Sequence, residues 1–473
     1  METSSFGIAI MAAGKGTRLK SRRPKVLHEI GGQALLLHVI AAAKAIAPAT
    51  QIYCIIGHQA EIVRAAAAST GVHFVLQPEQ RGTGHAMQQL REHLIASGQP
   101  APENLLVLSG DVPLIQPSTL QALCNFHLAE RAAMTILTAV PPNPTGYGRV
   151  LRVSDTSSEV QAIVEQKALT DDQLSAPEIN SGIYCFRTSA LFAQLDSLST
   201  NNAHGELYLT DVAALLAAHR ERVVAICSSG PTEEVLGANT IEEMMHLDAA
   251  MRLATARRLM AQGVTIFRPE TSVIDAQVEI GPDTILQPFV QLLGNTRIGS
   301  NCRIGSYNVL ENTQLGDNVL IRPNCVIADA TIGDDAKLGP FSHLRPGSQI
   351  GPEAHIGNFV ETKNAKIGRG AKANHLAYLG DATLGSNVNI GAGTITCNYD
   401  GEKKYPTAIG DGAFIGSNST LVAPVSVGET AYVGAASCIT EDVPAGALAL
   451  GRNRQVTKPG WVSARKQAAK RCD

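Results

Sequence analysis

A chain of 473 residues is too long for one ordinary hydrophobic core, so two domains are expected. With 39 Lys and Arg against 42 Asp and Glu, it lacks the concentrated positive field that bulk nucleic-acid binding requires. No signal-peptide pattern and no apolar run near the ~20 residues of a bilayer span are visible, and nine scattered cysteines without CxxC spacing fit a reducing compartment. A cytoplasmic location, with neither membrane nor nucleic-acid partners, is therefore expected.

The mostly apolar run Phe6 to Ala12 opens into a loop that carries Gly14, Lys15, Gly16 and Arg18. A buried strand ending in a glycine-rich, basic turn suits phosphate. The GxGxxG pattern breaks at Leu19 and GxxxxGK[ST] is absent, which leaves GxGxxR followed by Lys25. Those cations and the loop amides could surround a nucleoside triphosphate and draw charge from leaving pyrophosphate, a chemistry that needs no protein nucleophile. A solvated surface turn is the blander reading of the same residues.

Further along, residues 34–47 and 209–222 read as helices, and 51–57, 72–77, 105–110, 134–140 and 223–229 as strands. This alternation implies an α/β domain with a Rossmann-like, largely parallel sheet whose ligands gather at the carboxyl ends of the strands. The segment 77–86 ends a strand with polar side chains and glycines suited to a nucleobase. Asp111 stands at the mouth of an apolar strand, where a carboxylate can hold magnesium or simply cap a turn. The segments 145–150, 163–167 and 179–184 are candidate sugar-facing loops. Residues 241–262 carry Met244, Leu247, Met251 and Leu259 at helical spacing, as a connecting helix or the last helix of the first domain.

From about 264 the pattern changes. Twenty-four glycines fall in 264–455 against eighteen in the longer first 263, and aliphatics recur every six residues: Ile409, Ile415, Leu421, Val427, Val433, Ile439. Ile298 with Ile304, Ile332 with Leu338, and Ile350 with Ile356 keep the same step. A period of six signals a parallel β-helix whose triangular coil closes in eighteen residues, where a β-sandwich would alternate with period two. The break at 397–408 reads as a loop leaving one corner. Arg345 and Lys363 would form an anion pocket. His375, with an imidazole's ordinary pKa near ~6.5, could take a proton from an amine attacking a thioester. A lone histidine is more often a structural hydrogen-bonding residue; Arg345, Glu361, Lys363 and Tyr378 at similar coil positions favour the chemical reading.

In their joint order these motifs resemble the bacterial bifunctional N-acetylglucosamine-1-phosphate uridyltransferase/glucosamine-1-phosphate acetyltransferases, from residue 6 to about 461. The resemblance implies a uridyltransferase domain over 1–240, a helical linker over 241–263, a left-handed parallel β-helix of hexapeptide repeats over 264–455 that acetylates, and a tail over 456–473. It gives the nucleotide sugar to Met11, Ala12, Ala13, Gly14 and Lys25, uracil to Gln77, Gly82 and Thr83, and the phosphates to Arg18. Ser109, Gly110 and Asp111 line the same site, Gly148, Glu165 and Asn180 match sugar contacts, and Asp111 and Asn239 match magnesium ligands. Met11 and Ser109 depart from the commoner Leu and aromatic residue.

The resemblance makes His375 the proton acceptor, with Glu361 orienting or relaying for it. It gives Arg345, Lys363, Tyr378 and Asn389 to glucosamine-1-phosphate. Acetyl-CoA falls to Ala392, Asn398, Tyr399, Ser417, Ala435 and Arg452. UTP and acetyl-CoA are the implied co-substrates, magnesium the implied metal, and a homotrimer the implied assembly. Trp461, nine residues beyond Arg452, is expected near the coenzyme A end of the β-helix. The rival reading is a sugar nucleotidyltransferase whose β-helix serves only assembly or regulation; a purely structural trimerisation protein is a third.

Overall fold

The structure, a computed structural model, describes residues 6–154, 156–202 and 205–469. The end of the tail beyond 469, with Cys472, lies outside the described residues. The chain divides into two compact units, Met1–Arg252 and Leu253–Asp473, so the boundary falls within the helix Ile241–Ala261.

In the first unit the wholly apolar strand Phe6–Ala12 is central. It pairs in parallel with Ile52–Ile56 on one side and Asn104–Ser109 on the other. His73–Leu76 extends the first edge in parallel, and Val223–Cys227 runs parallel to Met134–Ala139 at the other. The long strand Ile179–Arg187 lies antiparallel between Asn104–Ser109 and Met134–Ala139, which makes the sheet mixed although its central strands run one way. Arg149–Arg152 and Val160–Val164 pair off this path and carry two of the candidate sugar loops. Strand residues buried on both faces explain why these strands read as continuous apolar runs. Ile8 and Ile10 enter one core layer with helix Leu35–Lys44, and Ala9 enters the other with helix Thr83–Ser97.

The second unit is a parallel β-helix. Three parallel sheets of eleven, ten and nine short strands wind round one apolar axis. Most strands contribute one inward residue, and every hexad aliphatic named above is buried there. The coil differs from the expected eighteen residues. Gln291 pairs with Val309, eighteen on, but Val309 pairs with Val326, seventeen on. The short step is Leu310 to Leu315, five residues turned at Asn312, which has positive φ, whereas Leu315 to Ile321 and Ile321 to Ile327 keep six. Between Ala382 and Thr407 the register jumps by twenty-five, which places the excursion after Cys397 as the broken rhythm implied.

His127, on helix Pro117–Glu130, is buried in the first unit with Nδ1 2.8 Å from the Thr135 hydroxyl and its ring edge-on to Phe6. Burial, reinforced by the Arg187 guanidinium, pushes its pKa down to about 4. The unfolded chain would bind this proton near ~6.5 and the folded unit only near the lower value, so stability present above ~6.5 is lost as pH falls toward it. Urea unfolding of the first unit should therefore lose stability on the order of 3 kcal/mol between pH 7 and 4 from this group. In His127→Gln that part of the pH dependence should vanish; an unchanged slope would refute the assignment.

Candidate active sites

The first site forms where the parallel strands end. A cleft of ≈ 490 Å³ is lined by Met11, Ala12, Ala13, Gly14, Lys25, Gln77, Gly82, Thr83, Ser109 and Asp111, all expected from sequence. Gly110 belongs to its wall, with its N–H donating to the Met11 carbonyl at 2.9 Å. Lys15 of the basic loop lines it as well, as do Thr17, Gln80 and Glu206, which the sequence did not single out. Gly16 has φ +61°, and a Cβ there would lie 2.6 Å from the Lys25 Cβ. That close approach folds the loop onto Lys25 and admits only glycine.

At one end the Lys25 ammonium pairs with the Asp111 carboxylate and donates to Asn239 Oδ1 at 2.9 Å. Arg18 donates to the same Asn239 oxygen at 2.6 Å. Ser109 donates to Asp111 Oδ1 at 2.6 Å, a bond to the carboxylate from the position where an aromatic residue is commoner. Burial pushes the Asp111 carboxyl up, but Lys25 and Ser109 outweigh it and hold the group below the usual carboxylate range. Asn239 is fixed by its own N–H donating to Glu243 at 2.7 Å. Two oxygen donors, one of them anionic, share one ammonium here, a donor set that suits a hard divalent cation such as magnesium.

The expected sugar contacts gather with one another. The Asn180 N–H donates to the Gly148 carbonyl at 2.9 Å, and Gly148 packs beside Glu165. Asn180 Nδ2 donates to the Tyr184 hydroxyl at 2.9 Å. These loops are knitted by Arg149, a buried guanidinium overlooked in the sequence. It donates to the Tyr147 carbonyl, to Ala176 O at 2.9 Å and to Gln166 Oε1 at 3.2 Å. Burial first, then the Glu243 and Asp111 carboxylates, push the Tyr147 phenol above its ordinary range. The sugar loops and the Asp111 end thus feel one another's charge.

The second site lies on the β-helix and is built by stacking. Glu361 pairs with Tyr378 on adjacent strands, and Lys363 with Gly380 in the same register. Arg345 donates its backbone N–H to the Thr362 carbonyl, which sets it beside Lys363, and its guanidinium binds Glu361 at 2.9 Å. The Glu361 carboxylate is therefore engaged with Arg345. The group on His375 is Asn358, whose Oδ1 lies 2.7 Å from Nδ1. Asn389 sits on the neighbouring strand, paired with Lys372.

The excursion folds back so that Tyr405 N–H donates to the Asn398 carbonyl and Asn398 Nδ2 binds Asp381. It brings Lys404 against Lys363, and that crowding of ammoniums lowers the Lys363 pKa. Arg345, Lys363 and Lys404 make a three-cation seat, the third member invisible without the loop's path. Tyr399 projects from the loop, 58% exposed.

Of the acetyl-CoA residues expected from sequence, Ala392, Ser417 and Ala435 stand in one column of the β-helix, while Asn398 and Tyr399 lie on the excursion. The Leu376 N–H donates to Asn358 O, Gly393 to Leu376, Asn418 to Ala392 and Ala436 to Ser417, so Asn358, His375, Ala392, Ser417 and Ala435 follow one per coil. Arg452 ends the column with its guanidinium 2.8 Å from the Ala435 carbonyl. Trp461 begins an exposed helix, Trp461–Ala469, with Arg465 stacked over its ring.

Residues 8–175 match the family model of the MobA-like NTP transferase domain. Residues 277–312 and 329–364 match bacterial transferase hexapeptide repeats, and 406–441 the hexapeptide repeat of succinyl-transferase. Three curated relatives, each named bifunctional protein GlmU, match nearly end to end. That of Koribacter versatilis is 56% identical over 98% of both chains. That of Solibacter usitatus is 49% identical over 98% of both. That of Streptococcus agalactiae is 43% identical over 97% of this chain and 98% of the relative.

Removing the Lys404 charge should let the Lys363 ammonium return toward its ordinary range. Lysine-selective NMR titration should find the Lys363 pKa higher in Lys404→Met than in the unaltered protein. No change would show that the excursion does not hold Lys404 against Lys363 in solution.

Proposed function

The chain belongs to the GlmU family, the bifunctional acetyltransferase/uridyltransferases of UDP-N-acetylglucosamine synthesis, and from that premise we propose how its residues divide the two reactions. The enzyme acetylates glucosamine-1-phosphate from acetyl-CoA, then joins the product to the uridylyl group of UTP and releases pyrophosphate. Residues 1–240 carry uridylyl transfer and 264–455 acetyl transfer, with 241–263 as linker and 456–473 as tail. The observation that carries this division is the single column from His375 to Arg452, a length of chemistry that a scaffold has no use for.

In uridylyl transfer a phosphate oxygen of the sugar phosphate attacks the α-phosphorus of UTP, and the bond to the β-phosphate breaks. Met11 to Gly14 supply loop backbone to the nucleotide, while Arg18 and Lys25 neutralise the charge passing to pyrophosphate. Gln77 uses its Nε2 on the Gly82 carbonyl at 3.0 Å and on His85 Nδ1 at 3.1 Å, which leaves Oε1 as an acceptor. Uracil offers an N3–H to such an acceptor and cytosine does not. Gly82 and Thr83 close around the base; Gly148, Glu165 and Asn180 hold the sugar. Asp111 and Asn239 would hold magnesium, which supplies charge neutralisation on the triphosphate.

In acetyl transfer Arg345 and Lys363 seat the phosphate, and Tyr378 and Asn389 complete the sugar site. Asn398 and Tyr399 meet the thioester end of acetyl-CoA, whose length follows Ala392, Ser417 and Ala435 to Arg452. The amine of glucosamine-1-phosphate attacks the thioester carbonyl, the C–S bond breaks, and His375 takes the amine proton. Glu361 acts by fixing Arg345.

The protein assembles as a homotrimer. One corner of the β-helix exposes Phe289, Tyr307, Phe341, Phe359 and Leu376, interrupted by Asn324 in the coil between Tyr307 and Phe341, with Phe341 and Phe359 stacked 5.4 Å apart. Such an apolar ridge calls for cover. The buried unpaired thiols Cys54, Cys302 and Cys325 fit a reducing, cytoplasmic setting. Among the described residues no helix is long and apolar enough to cross a membrane.

Asp111→Ala should slow uridylyl transfer ~100-fold or more by removing preorganised charge, with acetyl transfer changed only a few-fold. His375→Ala should cost acetyl transfer ~100- to 10,000-fold and spare uridylyl transfer. Mixed, the two variants should still make the nucleotide sugar through the free intermediate. Loss of acetyl transfer in folded Asp111→Ala, or its survival in His375→Ala, would overturn the division. Light scattering should find a trimer that Phe341→Glu weakens; a stable, active monomer of the unaltered chain would refute the assembly.

A further inference from the structure

We propose that Asn358 is a positioning residue for acetyl transfer, holding His375 in the tautomer that leaves Nε2 free to accept the amine proton. The proposal rests on the reading of His375 as the base and adds the group that orients it.

Three observations carry it. Asn358 and His375 are register partners on adjacent coils, Asn358 Oδ1 lying 2.7 Å from Nδ1. An amide oxygen only accepts, so Nδ1 must carry the hydrogen and the lone pair falls to Nε2. Because the imidazolium also carries a hydrogen on Nδ1, the same bond persists when Nε2 gains the amine proton. The contact thus serves both ends of the reaction without rearrangement.

Second, asparagine has an ordinary structural use in this β-helix that does not apply at 358. Asn301, Asn318, Asn324, Asn387 and Asn418 all turn corners with positive φ, the conformation asparagine tolerates best after glycine. At this corner Phe359 takes that role, and Asn358 ends the extended strand His355–Asn358. In earlier coils the residue before the same corner is Ser306 or Pro323. A side-chain amide enters the column immediately below the histidine.

Third, the backbone is arranged to bring these two coils close. Gly357 precedes Asn358, and a Cβ on it would lie 1.9 Å from the Asn374 carbonyl oxygen. Any side chain there would push the coils apart at the point where amide and imidazole meet. The charged groups around the pair are otherwise committed or at a distance. Glu361 is bound to Arg345, Lys372 lies three residues before His375, and His355, on the Asn358 strand, is itself depressed by burial and by Arg322, Lys337, Lys372 and His375. Among the described residues, the hydrogen-bond partner of the His375 ring is the Asn358 amide.

The test compares Asn358→Ala, Asn358→Asp and His375→Ala in the full-length enzyme, with uridylyl transfer as a check that each variant is folded. Asn358→Ala should lower kcat for acetyl transfer about 10- to 100-fold, a part of the ~100- to 10,000-fold that a general base supplies. KM for both substrates should stay within about two-fold, because the amide touches neither in this reading. Asn358→Asp keeps the acceptor and adds a negative charge. It should restore much of kcat while moving the acidic limb of the kcat–pH profile to higher pH, since a carboxylate favours the imidazolium. ¹⁵N NMR should find His375 protonated on Nδ1 in the unaltered neutral enzyme and mixed between nitrogens in Asn358→Ala. An unaltered kcat in folded Asn358→Ala, or an unmoved acidic limb in Asn358→Asp, would overturn the proposal. If Asn358→Ala fails to fold, the near-isosteric Asp variant decides alone. Retained acetyl transfer in His375→Ala would instead refute the base itself, so the two failures are distinguishable.

Discussion

The parallel backbone ladder of the β-helix is the constraint from which its chemistry follows. Each coil hangs from the next by evenly spaced N–H to carbonyl bonds, such as Arg345 to Thr362 and Gly391 to Ile415, so residues one coil apart are forced into columns. A column is cheap when its members are inward aliphatics, and the axis from Ile266 to Ile439 is filled that way. It is costly when the members are like charges. Arg345 and Lys363 stand one coil apart in this way, the excursion adds Lys404 against Lys363, and Glu361 and Asp381 are the carboxylates beside them. Cations held together by a rigid backbone rather than by mutual attraction are the condition for a seat that favours an incoming phosphate.

The first unit solves a related problem with a different constraint. Parallel strands pointing the same way bring the ends of Phe6–Ala12, Ile52–Ile56, His73–Leu76 and Asn104–Ser109 to one side of the sheet. Loops from four distant stretches meet there without any of them being long. The free cleft holds its charges in balance, Lys25 against Asp111 and Asn239 between Lys25 and Arg18. A triphosphate and its cation would compete for both halves of that balance, and the groups it leaves unpaired are the ones the reaction uses. The ion pair is therefore a resting arrangement of functional groups more than a contribution to stability.

Much of this was legible in the sequence, and the limits are physical. The hexad aliphatics could be read because an inward position recurs with the strand, whatever lies between. The coil length could not be read from them alone, since a left-handed asparagine turns a five-residue corner at Asn312 and a six-residue one at Asn318, and coils of both seventeen and eighteen residues occur. The glycine-rich loop, Lys25 and Asp111 were visible as types at strand ends. Arg149 was not, because a buried guanidinium bonded to two carbonyls and an amide looks, in sequence, like any strand arginine. Lys404 was hidden by the path of its loop. Glu361 was given a role toward His375 by the family resemblance; its carboxylate is engaged by Arg345, one coil away on the same sheet.

Asn358 shows why columns must be counted before roles are given. It stands seventeen residues before His375, a separation that no local pattern marks, within a segment where asparagines are ordinary corner residues. Only the register joins the two, and the register is itself a sum of corners, each closing one residue longer or shorter. An insertion or deletion of one residue between 358 and 375 would leave every hexad aliphatic recognisable. It would also carry the amide away from the imidazole, since one residue along a strand turns a side chain to the opposite face. The fold thus tolerates variation in coil length where columns are merely apolar, and loses that freedom where a column holds a hydrogen bond to the reacting base.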